Sequence, residues 1–213
     1  MPIILAVLAI VLAYLVGSIP IGVLAGRLIG VEVRTVGSGR TGATNVYRAA
    51  GPLGLGLTSL GDIVKGILAV WTARALMSYA LTVGAGPFLP PWIEALAGIG
   101  VVAGHNWSMF LGFKGGAGTA TTLGALAAMN TYVGIAMGVV GLAAILISRT
   151  ASIGSITIAL AQGAAMVISA AVGATPWACV LFGIVSGAFT ICALMPNIKR
   201  ILSGQERQLN AHW

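Results

Sequence analysis

The chain has 213 residues, 58% of them hydrophobic and only 7% charged. Soluble domains carry roughly 25% charged residues, so this chain cannot cover its surface with charge and reads as an integral membrane protein. Its net charge of +7 comes from only 11 scattered basic residues, a pattern that suits cytoplasmic loops and anionic headgroups and argues against nucleic acid as a partner.

The first apolar run, 3–29, has no Lys or Arg before Arg27. A signal peptide begins with a positive region and is shorter, so the run predicts a membrane helix. Arg27, Arg34, Arg40 and Arg48 follow it, within and around the polar stretch Gly37-Ser38-Gly39-Arg40-Thr41-Gly42-Ala43-Thr44-Asn45-Val46-Tyr47-Arg48. Glycines here let backbone amides approach an anion closely. A helix opening near Thr41–Gly42 would present its N-terminal amides to a phosphate, with Ser38 and Thr44 adding hydroxyls and Arg48 a bidentate grip. A helix-capping turn with Arg48 on lipid headgroups is the plainer alternative. No Gly-Lys-Ser/Thr follows, so this is not a Walker loop.

Apolar runs over 53–79 and 83–103 predict the next two spans. Asp62 and Lys65 lie three residues apart, on one face of the second span. Charges inside a span face the bundle interior and pair there, so these two read as a structural ion pair that can orient loop residues. His105 ends the third span and opens a second polar stretch, which contains Lys114-Gly115-Gly116, a cation at a Gly-Gly turn leading into a helix. Phe110 and Phe113 beside it also fit an aromatic belt, with Lys114 as an interfacial anchor.

The run 118–148 is too long for one crossing of about 20 residues. Lys114 before it and Arg149 after it belong on one side by the positive-inside rule, so an even number of crossings joins them. Met129-Asn130-Thr131 supplies the hinge of a hairpin of two short helices. Spans over 151–173 and 177–196 and a tail with Lys199, Arg200 and Arg207 complete the chain. The expectation is an all-α polytopic bundle of seven transmembrane helices in a single domain, 1–213, with the N-terminus outside and the C-terminus cytoplasmic. Arg74, near the outer end of the second span, fits this pattern poorly. Spacings such as Gly134/Gly138 suggest close helix packing. Cys179 and Cys192 share one helix at about 20 Å, beyond disulfide reach.

Ser148, Arg149 and Ser152, and then Asn197 with Lys199, add polar groups to the cytoplasmic side. The acidic residues Glu32, Asp62, Glu94 and Glu206 are too few and dispersed for a two-metal site, so no metal is expected. His105 is followed five positions later by Phe110, which leaves no His-x4-Asp pair. Two anion loops on one membrane face suit phosphate-bearing substrates. A small anion transporter or channel is the rival, because glycine-broken spans can also bind carried anions, although no midplane pathway is evident.

Ser38-Gly39-x-x-Gly42-Ala43-Thr44-Asn45-x-x-Arg48, Asp62-x-x-Lys65-Gly66, Gly104-His105, Phe113-Lys114-Gly115-Gly116 and the tail Asn197–Glu206 together resemble the PlsY-type acyl-phosphate:glycerol-3-phosphate acyltransferases. The resemblance runs in order over nearly the whole chain. It implies a multi-pass bacterial inner-membrane enzyme with its active site on the cytoplasmic side. Its reaction would move an acyl group from acyl phosphate to the 1-hydroxyl of glycerol 3-phosphate, giving lysophosphatidic acid and phosphate, with no cofactor, acyl carrier protein or CoA. Ser38, Thr44, Asn45, Arg48, His105, Lys114, Ser152 and Asn197 fall at motif positions associated with the polar active site. On that basis Ser38, His105 and Asn197 are the catalytic candidates. Ser38, Gly39, Arg40, Gly42, Thr44, Asn45, Arg48, Lys114, Gly115, Gly116 and Ser152 are the substrate- and phosphate-binding candidates, with Asp62 and Lys65 orienting. Arg40 stands where the family usually has Asn, Ala117 where it has a second Lys, and Gln205 where Thr is common. With no nucleophile beside a base, direct transfer is expected. The phosphate of the donor would assist proton removal, and His105 and Asn197 would position groups.

Overall fold

The computed structural model describes residues 1–87 and 89–209. The described residues form helices α1 (Pro2–Ser18), α2 (Ile21–Leu28), α3 (Ala43–Thr82), α4 (Leu89–Asn106), α5 (Thr119–Met129), α6 (Thr131–Ser148), α7 (Ala151–Ala171) and α8 (Ala178–Leu202), and no strand. Two short 3-10 turns, Val33–Thr35 and Met109–Leu111, lie in the connections.

Pro20 separates α1 from α2 because it offers no amide to the helix ladder. The two together make one apolar stretch of 27 residues. Helix α3 is kinked where Gly51 takes φ +67° and ψ −164°. Pro52 disfavours helical geometry in the residue before it, and Gly51 accepts the resulting left-handed φ without a Cβ clash. The long run 118–148 breaks at Asn130, whose side-chain oxygen accepts from the Tyr132 and Val133 amides and caps α6. Counting α1 and α2 as one, five of the described helical segments are long and apolar enough to cross a membrane, α5 is a shorter apolar helix, and α4 completes the set of seven helical segments expected from the sequence. At about 1.5 Å per residue, the 11-residue α5 rises only some 16 Å, and the glycine-rich connection before it is buried at Gly116 and Gly118.

Small residues let the helix backbones touch. A Cβ at Gly17 or Gly104 would collide with a carbonyl oxygen across the α1–α4 interface, and one at Gly66 or Gly124 would do so between α3 and α5. The Gly134/Gly138 expectation is half right. Gly134 packs on the Ala127 backbone, whereas Gly138 has open space where a side chain would be. Arg74 is explained by Glu94, which it grips with two nitrogens at 2.8–3.2 Å while donating to the Ala128 carbonyl at 3.0 Å. That pair ties α3, α4 and α5 together at the end of the bundle opposite the basic loops.

Candidate active site

The termini of α1, α4, α6 and α8 and the starts of α3, α5 and α7 meet at one end of the bundle. A cavity of about 320 Å³ opens there. Its polar end is lined by Ser38, Arg40, Gly42, Thr44, Asn45, Arg48, Ser152, Asn197, Arg200, Glu206 and Arg207, and Asp62 and His105 lie deeper. An apolar arm continues past Leu55, Ile63, Leu123, Leu142, Ile145 and Ile158. Leu142 is 56% exposed and Gly138 lines this arm, so the arm reaches the lipid-facing side of α6.

The first polar loop is shaped by Asn45. Its amide nitrogen donates to the carbonyls of Val33, Val36 and Arg40 at 2.9–3.0 Å, and its oxygen accepts from the Ser38 amide at 2.8 Å. Asn45 therefore holds the loop in shape, with its amide hydrogens shared among those carbonyls, while it also lines the cavity. The Ala43 and Thr44 amides, in the first turn of α3, have no intrahelical acceptor and line the cavity. Arg48 is half-buried on the rim and makes no hydrogen bond or ion pair among the described residues.

Arg40 crosses to α8, where it donates to Asn197 Oδ1 at 3.2 Å and to the Ala193 carbonyl. Burial, together with nearby Arg200, lowers its pKa. Asn197 Nδ2 then donates to Glu206 Oε1 at 2.8 Å, as does Ser152 Oγ at 2.9 Å, and Arg200 Nε reaches Glu206 Oε2 at 2.8 Å. Burial alone would raise the pKa of Glu206, but the hydrogen bonds from Asn197, Arg200 and Ser152 outweigh it and hold it below 4.5, its ordinary value. The carboxylate is charged at neutral pH, and these contacts are lost only as pH falls through that lowered value.

Beneath the rim, the Lys65 ammonium forms an ion pair with Asp62 Oδ1 at 2.8 Å, lies 2.8 Å from His105 Nδ1 and donates to the Ile19 carbonyl at 3.2 Å. Thr121 Oγ1 lies 3.2 Å and Asp62 Oδ1 3.3 Å from the same imidazole nitrogen. All three charged or ring side chains are buried. Asp62 and Lys65 thus form the expected ion pair, and it props His105.

The second glycine stretch behaves differently from its sequence reading. The Gly115 and Gly116 amides donate to the Asn106 and His105 carbonyls at 3.1 Å, so neither is free for an anion. A Cβ at Gly116 would collide with His105 Nε2. Lys114 is exposed, and it, Gly39, Gly115, Gly116 and Lys65 lie outside the cavity lining. Gly39, with φ +68°, serves the turn of the first loop. The lining carries cations the sequence reading did not assign to the site, Arg200 and Arg207, and the acid Glu206. The signal for them was present. Asn197 and Arg200 share a helix face, and Gly204, at φ +69°, lets the chain turn back to bring Glu206 beside them.

Among the described residues no group of three His, Cys, Asp or Glu side chains could hold a metal ion. A chamber with a cationic rim and an apolar arm fits a phosphate-bearing lipid at a bilayer surface.

Comparison with known proteins agrees. The family model for glycerol-3-phosphate acyltransferase matches residues 7–204. A glycerol-3-phosphate acyltransferase of Trichormus variabilis is 41% identical, with 94% of this chain and 90% of that protein covered. Glycerol-3-phosphate acyltransferase 2 of Moorella thermoacetica is 43% identical over 95% of this chain and 96% of that protein. Two crystal structures of PlsY, an integral membrane glycerol 3-phosphate acyltransferase, also match. Its glycerol 3-phosphate form has a TM-score of 0.81 at 34% identity, over 96% of each chain. Its lysophosphatidic acid form has a TM-score of 0.80 at 33% identity, over 95% of this chain and 94% of that one. The chain belongs to the glycerol-3-phosphate acyltransferase family and is an integral-membrane enzyme that transfers an acyl group to glycerol 3-phosphate, giving lysophosphatidic acid.

Proposed function

We propose that the acyl donor is acyl phosphate, used without acyl carrier protein or CoA, and that the reaction takes place at the cytoplasmic face of a bacterial inner membrane. The observation that carries this reading is the division of one cavity into an arginine-rimmed polar end and an apolar arm. Both substrates carry phosphate, and only the donor needs a place for a chain. Arg40 and Arg48, with the Ser38 and Thr44 hydroxyls and the first amides of α3, are the phosphate-binding groups. The basic loops gather at the cavity end, which supports a cytoplasmic placement. Single-cysteine labelling of intact cells, with Cys179 and Cys192 replaced, should mark Thr131→Cys from outside and leave Ser38→Cys and Lys114→Cys unmarked. External labelling at 38 or 114 would overturn that orientation.

The hydroxyl of glycerol 3-phosphate must lose a proton as it attacks the acyl carbonyl. The surroundings of His105 support a positioning role: Nδ1 lies 2.8 Å from the Lys65 ammonium and 3.3 Å from Asp62 Oδ1, and Gly116 packs against Nε2. Asp62 is committed to Lys65. Phosphate groups titrate near pH 6, so a non-bridging oxygen of the donor takes the proton while its phosphate departs. Ser38 and Asn197 orient the reacting groups. A general base is typically worth 10²–10⁴-fold. His105→Gln is therefore expected to lose less than about a thousandfold in kcat and to keep the wild-type pH profile. A larger loss, together with disappearance of the acidic limb, would make His105 the base.

A further inference from the structure

Ser152 and Asn197 were read from the sequence as a phosphate ligand and a catalytic residue, yet in the structure both already hold an anion. Glu206 Oε1 accepts from both, and Oε2 accepts from Arg200. Arg40, Arg48 and Arg207 line the same end of the cavity. A carboxylate seated on three donors among arginines presents two anionic oxygens much as a phosphate would. The Ser152 hydroxyl has a single hydrogen, so a phosphate and Glu206 cannot both receive it.

We propose that Glu206 is a positioning residue that stands in for the substrate phosphate. It keeps Ser152, Asn197 and Arg200 aimed at one point while the site is empty, then yields them to the phosphate as the 203–209 tail moves off the rim. This rests on reading the cavity as the phosphate site. The tail is held lightly enough to exchange. Among the described residues, the backbone hydrogen bonds that hold it beyond the turn at Gly204 are Gln205 N on the Arg200 carbonyl at 2.7 Å and Leu209 N on the Arg149 carbonyl at 2.8 Å. Residues 203–205, 207 and 208 are exposed. The trade is favourable because a phosphate brings more charge than a carboxylate to the same cations. Donors already aimed at an anion also need little reorganisation when the substrate arrives. Glu206 is fully charged at neutral pH, so it opposes an incoming phosphate unless it moves.

The full-length protein in detergent, with Cys192 replaced by Ser and Leu209→Cys added, provides the test; Cys179 is buried and Cys192 exposed. Thiol labelling at 209 should speed up several-fold when glycerol 3-phosphate or inorganic phosphate is added. Glu206→Gln, a weaker competitor of the same shape, should lower KM for a phosphate-bearing substrate and retain kcat. Glu206→Ala, which leaves the donors unaimed, should lower kcat, and Glu206→Asp should restore part of it. Labelling that is unchanged or slowed by either ligand, or a Gln variant with raised KM, would overturn the exchange. Failure of the underlying phosphate reading is separately visible, because Arg48→Ala would then leave both KM values unchanged.

Discussion

Lys65→Met is expected to cost about 3–5 kcal/mol of stability, the usual penalty for leaving one partner of a buried ion pair without its counter-charge. Lys65 is buried, and its ammonium joins Asp62, His105 and the Ile19 carbonyl, so it links α3, α4 and the α1–α2 break. Removing it leaves Asp62 without its counter-charge in the bundle interior. Thermal unfolding in detergent reads the effect. The Asp62→Asn/Lys65→Met double variant should recover much of the loss, since it removes both charges together. A single variant as stable as the parent would mean that water reaches the site and the pair is not structural.

Arg48→Ala should reduce kcat/KM about ten- to a hundredfold, because one charge-assisted hydrogen bond is worth roughly 1.5–3 kcal/mol. Its side chain makes no hydrogen bond or ion pair among the described residues and lines the cavity, so the loss should appear in turnover and leave folding intact. Lys114 carries the same charge at a position that looked equivalent in the sequence, but it is exposed and outside the lining. Lys114→Ala should therefore stay within about threefold of the parent, the scale of an exposed charge. Near-normal turnover in Arg48→Ala at low substrate, or a crippled Lys114→Ala, would show that the two cations have been assigned the wrong way round.

That contrast shows what the sequence could and could not convey. Charge parity between Lys114 and Arg149 was enough to split the run 118–148, and the break falls at Asn130 as expected. The Asp62–Lys65 pair followed from helical spacing alone. The direction in which a loop residue faces does not follow from spacing. Lys114-Gly115-Gly116 has the composition of an anion-binding turn, but its amides are consumed by the α4 terminus and its glycines make room for His105. Asn45 likewise has an amide suited to a phosphate and uses it on three backbone carbonyls. Glu206 was legible as one of four scattered acids and as the end of the tail that carries the resemblance, but not as a partner of Ser152, because that contact depends on a chain reversal at Gly204 that brings it across to α7.

The central claim is that this chain acylates glycerol 3-phosphate directly from acyl phosphate. The measurement that tests it most directly is an assay of the purified protein in detergent, with long-chain acyl phosphate and labelled glycerol 3-phosphate and no other protein present. Lysophosphatidic acid and inorganic phosphate should appear in equal amounts, with no product when acyl-CoA or acyl carrier protein thioester replaces the acyl phosphate. A folded preparation that makes no lysophosphatidic acid from acyl phosphate, or makes it only from a thioester, would contradict the claim.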